Sequence, residues 1–376
     1  MTAPGRARTR ADRVRDWLEA QMRDPAFQRR MLSLPLIGRL ARRRSARLFD
    51  LLAGFTYTQT LLAFVRLGGV EALAGGPHPP EALARRLGLS PEAARRLLDA
   101  AEALELVARS GDGYRLGDLG LPLLGRPELL TLLEHDALLY DDLRDPDALL
   151  RDDRRSPTHL SRFWSYARAA DPRALSSDEA RAYSAVMAAT QPLVAEQVLA
   201  AYDVGRHRRL LDVGGGDGAF LRAVAAVAPT LELALFELPP VAARAREACA
   251  AAGLAARVSM YEGSFLEDAL PGGADLMTLV RVCFDHDDAV VRGLFTRIHA
   301  ALPPGGTLLI AEPMAGLPGA ERVGSVYFGW YLLAMRSGRP RRPSEFSKLL
   351  LDSGFHDVVA HRVANPLQTG LITARR

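Results

Sequence analysis

Leu210-Leu211-Asp212-Val213-Gly214-Gly215-Gly216-Asp217-Gly218-Ala219-Phe220 decides the reading of this chain. Its first residues read as the apolar end of a strand and its last as the start of a helix, with three alternating glycines between them. Gly214, Gly216 and Gly218 let backbone approach a ligand where a Cβ would collide. The helix that follows offers N–H groups without intrahelical partners. Such a turn suits contact with a nucleotide, although glycine also serves tight turns for steric reasons alone.

Counted as G-x-G-x-x-A, the turn is a dinucleotide fingerprint. Counted from Asp212 as D-x-G-x-G-x-G, it is the form associated with S-adenosylmethionine (AdoMet). The next apolar run, Leu231 to Phe236, ends in Glu237, twenty-three residues beyond Gly214. An acid at the end of a second strand accepts both ribose hydroxyls and repels a 2′-phosphate, which disfavours NADP and leaves NAD and AdoMet. Glu237 also suits the start of a helix ahead of Pro239-Pro240.

At 376 residues the chain is long enough for two domains. Its formal charge of +4 conceals an asymmetry: residues 1–47 carry thirteen arginines against four acids, so that segment is +9 and the remainder −5. A basic, flexible arm over residues 1–30 could meet nucleic acid or an anionic membrane surface, or simply be solvated. Cys249 and Cys283 fall in an expected helix and an expected buried strand, which suggests neither a disulfide framework nor a zinc site. A reducing, cytoplasmic compartment follows. The longest uncharged apolar stretch, Leu51 to Val65, reads as too short and too polar to span a bilayer.

Residues 31–125 read as a winged helix. Leu48, Leu51, Leu52, Phe55, Leu61, Leu62, Phe64 and Val65 supply more apolar face than a small domain buries, which calls for a partner. Helices are expected over Pro80 to Leu87 and Pro91 to Leu104, with Ser90 as N-cap, then a hairpin turning at Ser110-Gly111-Asp112-Gly113. A DNA-binding regulator is the non-enzyme alternative. Against it, the helix after Ser90 sets Glu92, Asp99, Glu102 and Glu105 beside only Arg95 and Arg96, a face that repels phosphate. The domain is read as a dimerisation module that binds no nucleic acid.

Residues 126–204 read as a helical linker and substrate-lining region, with His135, Tyr140, Phe163, Trp164, Tyr183 and Met187 as candidate contacts or core packing. Residues 205–376 read as the nucleotide-binding domain. Strands are expected at Val258 to Tyr261, Asp275 to Cys283 and Thr307 to Ala311, and their continuous apolar runs suit a parallel sheet covered on both faces. After a helix from Pro343 to Ser353, Val358-Val359 and Leu371-Ile372-Thr373 read as a final antiparallel pair. The fold class is therefore α/β and Rossmann-like, with a mostly α-helical amino-terminal domain.

Taken together, the motif order resembles the class I AdoMet-dependent O-methyltransferases that carry an amino-terminal winged-helix dimerisation domain, over nearly all the chain after about Leu32. Gly263-Ser264-Phe265, Leu279-Val280-Arg281-Val282, Asp285-His286-Asp287-Asp288, Ala301-Leu302-Pro303-Pro304-Gly305-Gly306, and Val326-Tyr327-Phe328 ahead of Ser337-Gly338-Arg339 resemble the carotenoid-methylating branch. The resemblance implies a homodimer, AdoMet as cofactor, no metal, and methylation of the tertiary 1-hydroxyl of an acyclic carotenoid. Alternatives are an aromatic polyketide or phenol as acceptor, or AdoMet binding without transfer. If the substrate resides in a bilayer, the basic arm would dock peripherally on anionic lipid.

By the same resemblance, Asp212, Gly214, Gly216 and Gly218 surround the methionine part of the cofactor, Glu237 and Leu238 the ribose, and Ser264, Phe265 and Val280 the adenine. Relatives often have aspartate in place of Ser264 and lysine in place of Val280. Plant-type relatives use a His-Asp-Trp triplet whose histidine is the general base; here it is Phe284-Asp285-His286. Of the two acids that orient that histidine, one corresponds to Glu312 and the other position is Pro340. Phenylalanine takes no proton. His286, two residues on, would point to the same side in an extended segment and so becomes the expected base, aided by Asp285 or Glu312. Alternatively His286 is structural and positioning in a dry pocket suffices. Tyr327, Phe328 and Tyr331, on an expected helix from Val323 to Met335, would line the substrate channel with Phe284, His135, Tyr140 and Met187.

Overall fold

The computed structural model describes residues 9–152, 155–164 and 177–376, and side chains after Trp164 from residue 186 onward. The start of the basic arm, part of the expected linker and the side chain of Tyr183 lie outside the described residues. The chain divides into two compact units, Met1–Gly125 and Arg126–Arg376, so the residues expected as a linker belong to the same unit as the sheet.

In the first unit the described part of the basic segment is helical. Thr9 caps the helix Arg10–Gln21 in a reciprocal box with Asp12, and Asp24 caps Pro25–Ser33 with proline at the first helical position. A 32-residue helix, Pro35–Arg66, follows. Its stretch from Ile37 is long and apolar enough to cross a membrane by length and composition, because the helix extends well before Leu51; this corrects the expectation from the shorter run. It leaves Leu48, Phe49, Leu51, Leu52 and Phe55 exposed, as the excess of apolar face predicts.

The winged helix forms as expected. Helices Pro80–Arg86 and Pro91–Ala103 precede the hairpin of β1 (Val107–Ser110) and β2 (Gly113–Leu116). The Ser90 hydroxyl accepts from the Ala93 N–H at 3.2 Å. Leu83, Ala94, Leu98, Ala101 and Tyr114 close its core. Two arginines near the second helix are paired, Arg96 with Glu92 at 2.6 Å and Arg109 with Glu102 at 3.0 Å.

In the second unit β3 (Arg209–Val213), β4 (Glu232–Glu237), β5 (Val258–Glu262), β6 (Leu276–Val280), β7 (Thr307–Glu312), β8 (His356–His361) and β9 (Gly370–Arg375) form one sheet in the order β5-β4-β3-β6-β7-β9-β8. The first five are parallel, while β9 runs antiparallel between β7 and β8. Every residue of β6 and β7 is buried, as strands covered on both faces require, and each buried aliphatic side chain contributes roughly 1.5–3 kcal/mol. From β3 the chain runs outward through β4 and β5, then crosses back to β6 on the other side of β3. That reversal opens a crevice at the carboxyl ends of β3 and β6, where open α/β sheets bind ligands.

β6 ends sooner than the sequence suggests. Arg281 has φ +60° and Cys283–Asp285 forms a 3₁₀ turn, so the segment is not extended there. Likewise, Val323 to Met335 divides into a π-helical turn, Val323–Tyr327, and the α-helix Phe328–Met335.

Candidate functional site

Two cavities meet beside the Cys283–Asp285 turn. The first, with about 930 Å³ of empty space, lies at the strand ends and is bordered by Gly214, Gly216, Glu237, Leu238, Ser264 and Phe265, with Val280 and His286 opposite. Gly214 and Gly216 have φ of +70° and +61°, a left-handed geometry that only glycine adopts without strain. The Gly214 N–H donates to the Phe236 carbonyl at 2.9 Å, fastening the turn to the end of β4.

The Glu237 carboxylate accepts from the N–H groups of Gly216 at 2.9 Å and of Leu238 at 2.8 Å. Burial nevertheless pushes its pKa up to about 7. Glycine backbone, a carboxylate at the end of β4, and apolar Leu238, Phe265 and Val280 together fit an adenosyl group with free ribose hydroxyls.

Two expected cofactor residues stand behind this wall and do not border the cavity. Asp212 is fully buried; it accepts from the Thr278 hydroxyl at 2.6 Å and underlies Gly215, where any Cβ would overlap its carboxyl. Burial raises its pKa to about 7. A Cβ on Gly218 would stand 3.2 Å from the Cys249 sulfur, so that glycine seats a helix. The alternation Asp212-x-Gly214 thus includes a supporting residue as well as lining ones.

The second cavity, with about 910 Å³ of empty space, is mainly apolar and aromatic. Phe284, Tyr327, Phe328, Tyr331, His135 and Met187 border it, as expected, together with Trp164. Tyr140 does not: His135 and Leu139 are the buried residues of the helix Pro127–Asp142, and five residues beyond His135 the helix has turned that side chain away.

A polar chain runs through this wall. The Trp164 indole N–H donates to the Tyr331 hydroxyl at 2.6 Å, and that hydroxyl lies 2.5 Å from His135 Nε2. Trp164 can only donate, which leaves the Tyr331 proton free for the imidazole. Burial holds His135 down at about 4, hence neutral. The Tyr327 hydroxyl donates to Asp136 at 2.7 Å, and burial raises that acid to about 6.

Among the described residues, only Met187, Arg281 and Asp285 border both cavities. Phe284 belongs to the second alone and His286 to the first alone, where its ring meets Phe265 edge-on at 5.5 Å. The premise that His286 shares a side with residue 284 therefore fails, since a 3₁₀ turn rotates successive side chains by about 120°. Burial, reinforced by the Arg341 cation, holds His286 down at about 4. Glu312 borders neither cavity. It accepts from the N–H groups of Val282 at 2.9 Å and Cys283 at 2.6 Å, and burial raises it to about 8. Sequence reasoning missed Arg281 as a junction residue; its left-handed backbone is a tertiary feature with no local signal.

Comparison with known proteins follows the same division. Residues 150–356 match an O-methyltransferase domain, and residues 49–125 an O-methyltransferase dimerisation domain. The chain is similar to the demethylspheroidene O-methyltransferase of Cereibacter sphaeroides, 40% identical over 348 residues covering 91% of this chain and 90% of that protein. It is also similar to the acetylserotonin O-methyltransferase of Mus musculus molossinus, 34% identical over 358 residues, with 88% and 89% covered. Among solved structures, human N-acetylserotonin methyltransferase in complex with SAM shares the fold, with a TM-score of 0.72 at 24% identity over 89% of this chain and 97% of that one.

Proposed function

The chain belongs to the O-methyltransferase family with a dimerisation domain and uses AdoMet as methyl donor, and on that premise we propose that it methylates the tertiary 1-hydroxyl of an acyclic carotenoid. The observation that carries this reading is the second cavity, which Phe284 borders amid aromatic and aliphatic side chains. An apolar wall there suits an extended polyene, which offers no acidic phenol to deprotonate. The name of the 40% identical relative supports the same acceptor.

Bound AdoMet supplies an electrophilic methyl on sulfonium. Gly214, Gly216 and Glu237 would hold it, with Leu238, Phe265 and Val280 against the adenosine. A tertiary alcohol holds its proton tightly in the ground state, but the proton becomes strongly acidic as the oxygen gains the methyl. A weak base in the right place is then sufficient. Asp285 is the acid that borders both cavities, so it is the acceptor of that proton in this reading. His286, neutral on the cofactor side, packs against Phe265, and Glu312 shapes the turn.

The same reading has the protein acting as a homodimer through the face bearing Leu51, Leu52 and Phe55, which light scattering would check. It would work on the cytoplasmic side of a membrane, docked by the basic helices, which expose Val14, Trp17, Leu18 and Met22 among their arginines. Sedimentation with anionic liposomes should lose its salt sensitivity when residues 1–30 are deleted; unchanged binding removes the docking role.

The deciding experiment offers radiolabelled AdoMet with 1-hydroxyneurosporene in detergent beside a simple catechol and N-acetylserotonin. Label in the carotenoid alone is expected. Label in a phenol instead would move the acceptor to the aromatic class, and label in none with AdoMet bound would reject transfer to these acceptors.

A further inference from the structure

The turn from Val282 to His286 sends Phe284 to one cavity, His286 to the other and Asp285 to their border. One short segment, Ser337 to Arg341, takes all four carbonyls from Cys283 to His286. The Arg341 guanidinium donates to the carbonyls of Cys283 at 2.7 Å and His286 at 2.6 Å. The Arg339 backbone N–H donates to Phe284 at 3.0 Å, and the Ser337 hydroxyl to Asp285 at 2.5 Å. On the opposite side Glu312 takes the first two N–H groups of the turn.

Nothing about this contact is loose. Gly338, at φ +71°, lies so close to the backbone of Phe284 and Asp285 that a Cβ would overlap them. Arg341 is fully buried, and its charge is balanced by Asp288, whose Oδ1 lies 2.8 Å from Nε. Asp288 is fixed in turn by Arg339, at 2.9 Å from Nη2. A buried guanidinium is expensive unless most of its donors are used, and here they are used on the backbone beside Asp285.

We infer that Ser337 and Arg341 are positioning residues, which set where the Asp285 carboxyl stands relative to the acceptor oxygen and thereby govern kcat rather than AdoMet binding. The inference rests on the reading of Asp285 given above. It is tested with Ser337→Ala, Ser337→Thr and Arg341→Lys in the full-length protein, using whichever acceptor the wild type methylates.

A displacement of an ångström or less at a reacting group is costly, so kcat should fall about tenfold in Ser337→Ala and about a hundredfold in Arg341→Lys. The KM for AdoMet should stay near the wild-type value in both, the Tm should stay near it in Ser337→Ala, and Ser337→Thr should restore kcat. Unchanged kcat in both variants overturns the inference, as does a kcat loss matched by an equal rise in the AdoMet KM or, in Ser337→Ala, by a matching loss of Tm. Hydrogen exchange at the amides of residues 283–287 follows the clamp without any acceptor and should quicken in Ser337→Ala. Unchanged exchange removes the clamp, whereas full activity in Asp285→Asn removes the acceptor reading on which it acts.

Discussion

The cofactor cavity draws its wall chiefly from the ends of neighbouring strands β3 to β6, with Gly214, Gly215 and Gly216 among its residues. The aromatic cavity is assembled from segments far apart in the chain, among them Leu132 to Trp164, Val186 to Val194, Phe284 and Tyr327 to Tyr331, and no glycine is among its described residues. The first binds through geometry that few sequences can make. The second can be repacked residue by residue while the fold stands, so methyl-donor use is a property of the family and acceptor choice a property of the individual member. Asp285, with Met187 and Arg281, belongs to both.

The sharpest way to break this division is Asp285→Asn. Loss of a positioned proton acceptor should lower kcat about 10²–10⁴-fold while AdoMet binding, read by calorimetry, changes little. If binding falls as far as kcat, the junction belongs to the cofactor side alone.

Next in size is Glu237→Gln, which should weaken AdoMet about 10–100-fold and leave the KM of the acceptor alone. Burial raises Glu237 to about 7. The ionised form is the better acceptor for ribose hydroxyls and the better partner of a cationic ligand. Wild-type affinity should therefore rise as pH climbs through about 7 and level off above it, whereas the Gln variant should show no such rise.

On the acceptor side, Tyr331→Phe removes the hydroxyl that joins Trp164 to His135, at a cost of about 1–3 kcal/mol. The loss should raise the acceptor KM and spare AdoMet affinity. The smallest effect is predicted for His286→Ala, under about fivefold in kcat, because the imidazole borders the cofactor cavity alone, against Phe265, and not the acceptor cavity. In the wild type, kcat should consequently be flat in any contribution from His286 between about pH 6 and 9. A hundredfold loss in His286→Ala would make it the base after all and move the proton to the other cavity.

The parallel strands were legible because period and composition change wherever β meets α, and the winged helix because Ser90-Pro91 and the turn at Gly111 announce their geometry locally. Glu237 was legible too, since its place at the end of a second strand follows from counting. What failed did so for identifiable reasons. Along the basic segment, charge gave no sign of the helices Arg10–Gln21 and Pro25–Ser33, which the caps at Thr9 and Asp24 and the proline at residue 25 favour. Asp212 and Gly218 share the motif's spacing with true lining residues, but the strand and helix turn them toward the core. The expectation that His286 shares a side with residue 284 failed because an extended strand and a 3₁₀ turn put a residue two positions on at different angles.

The sequence by itself determined the sheet, the glycine turn, the acid at the end of β4 and the family's methyl donor, since each depends on residues close together in the chain or on patterns that repeat along it. Only the tertiary structure decided which of Phe284, Asp285 and His286 faces which cavity. That turn has no regular hydrogen-bond ladder of its own. Its shape is imposed by Glu312 from β7 and by Ser337 to Arg341 from beyond the aromatic helix, two partners that only the folded chain brings to it.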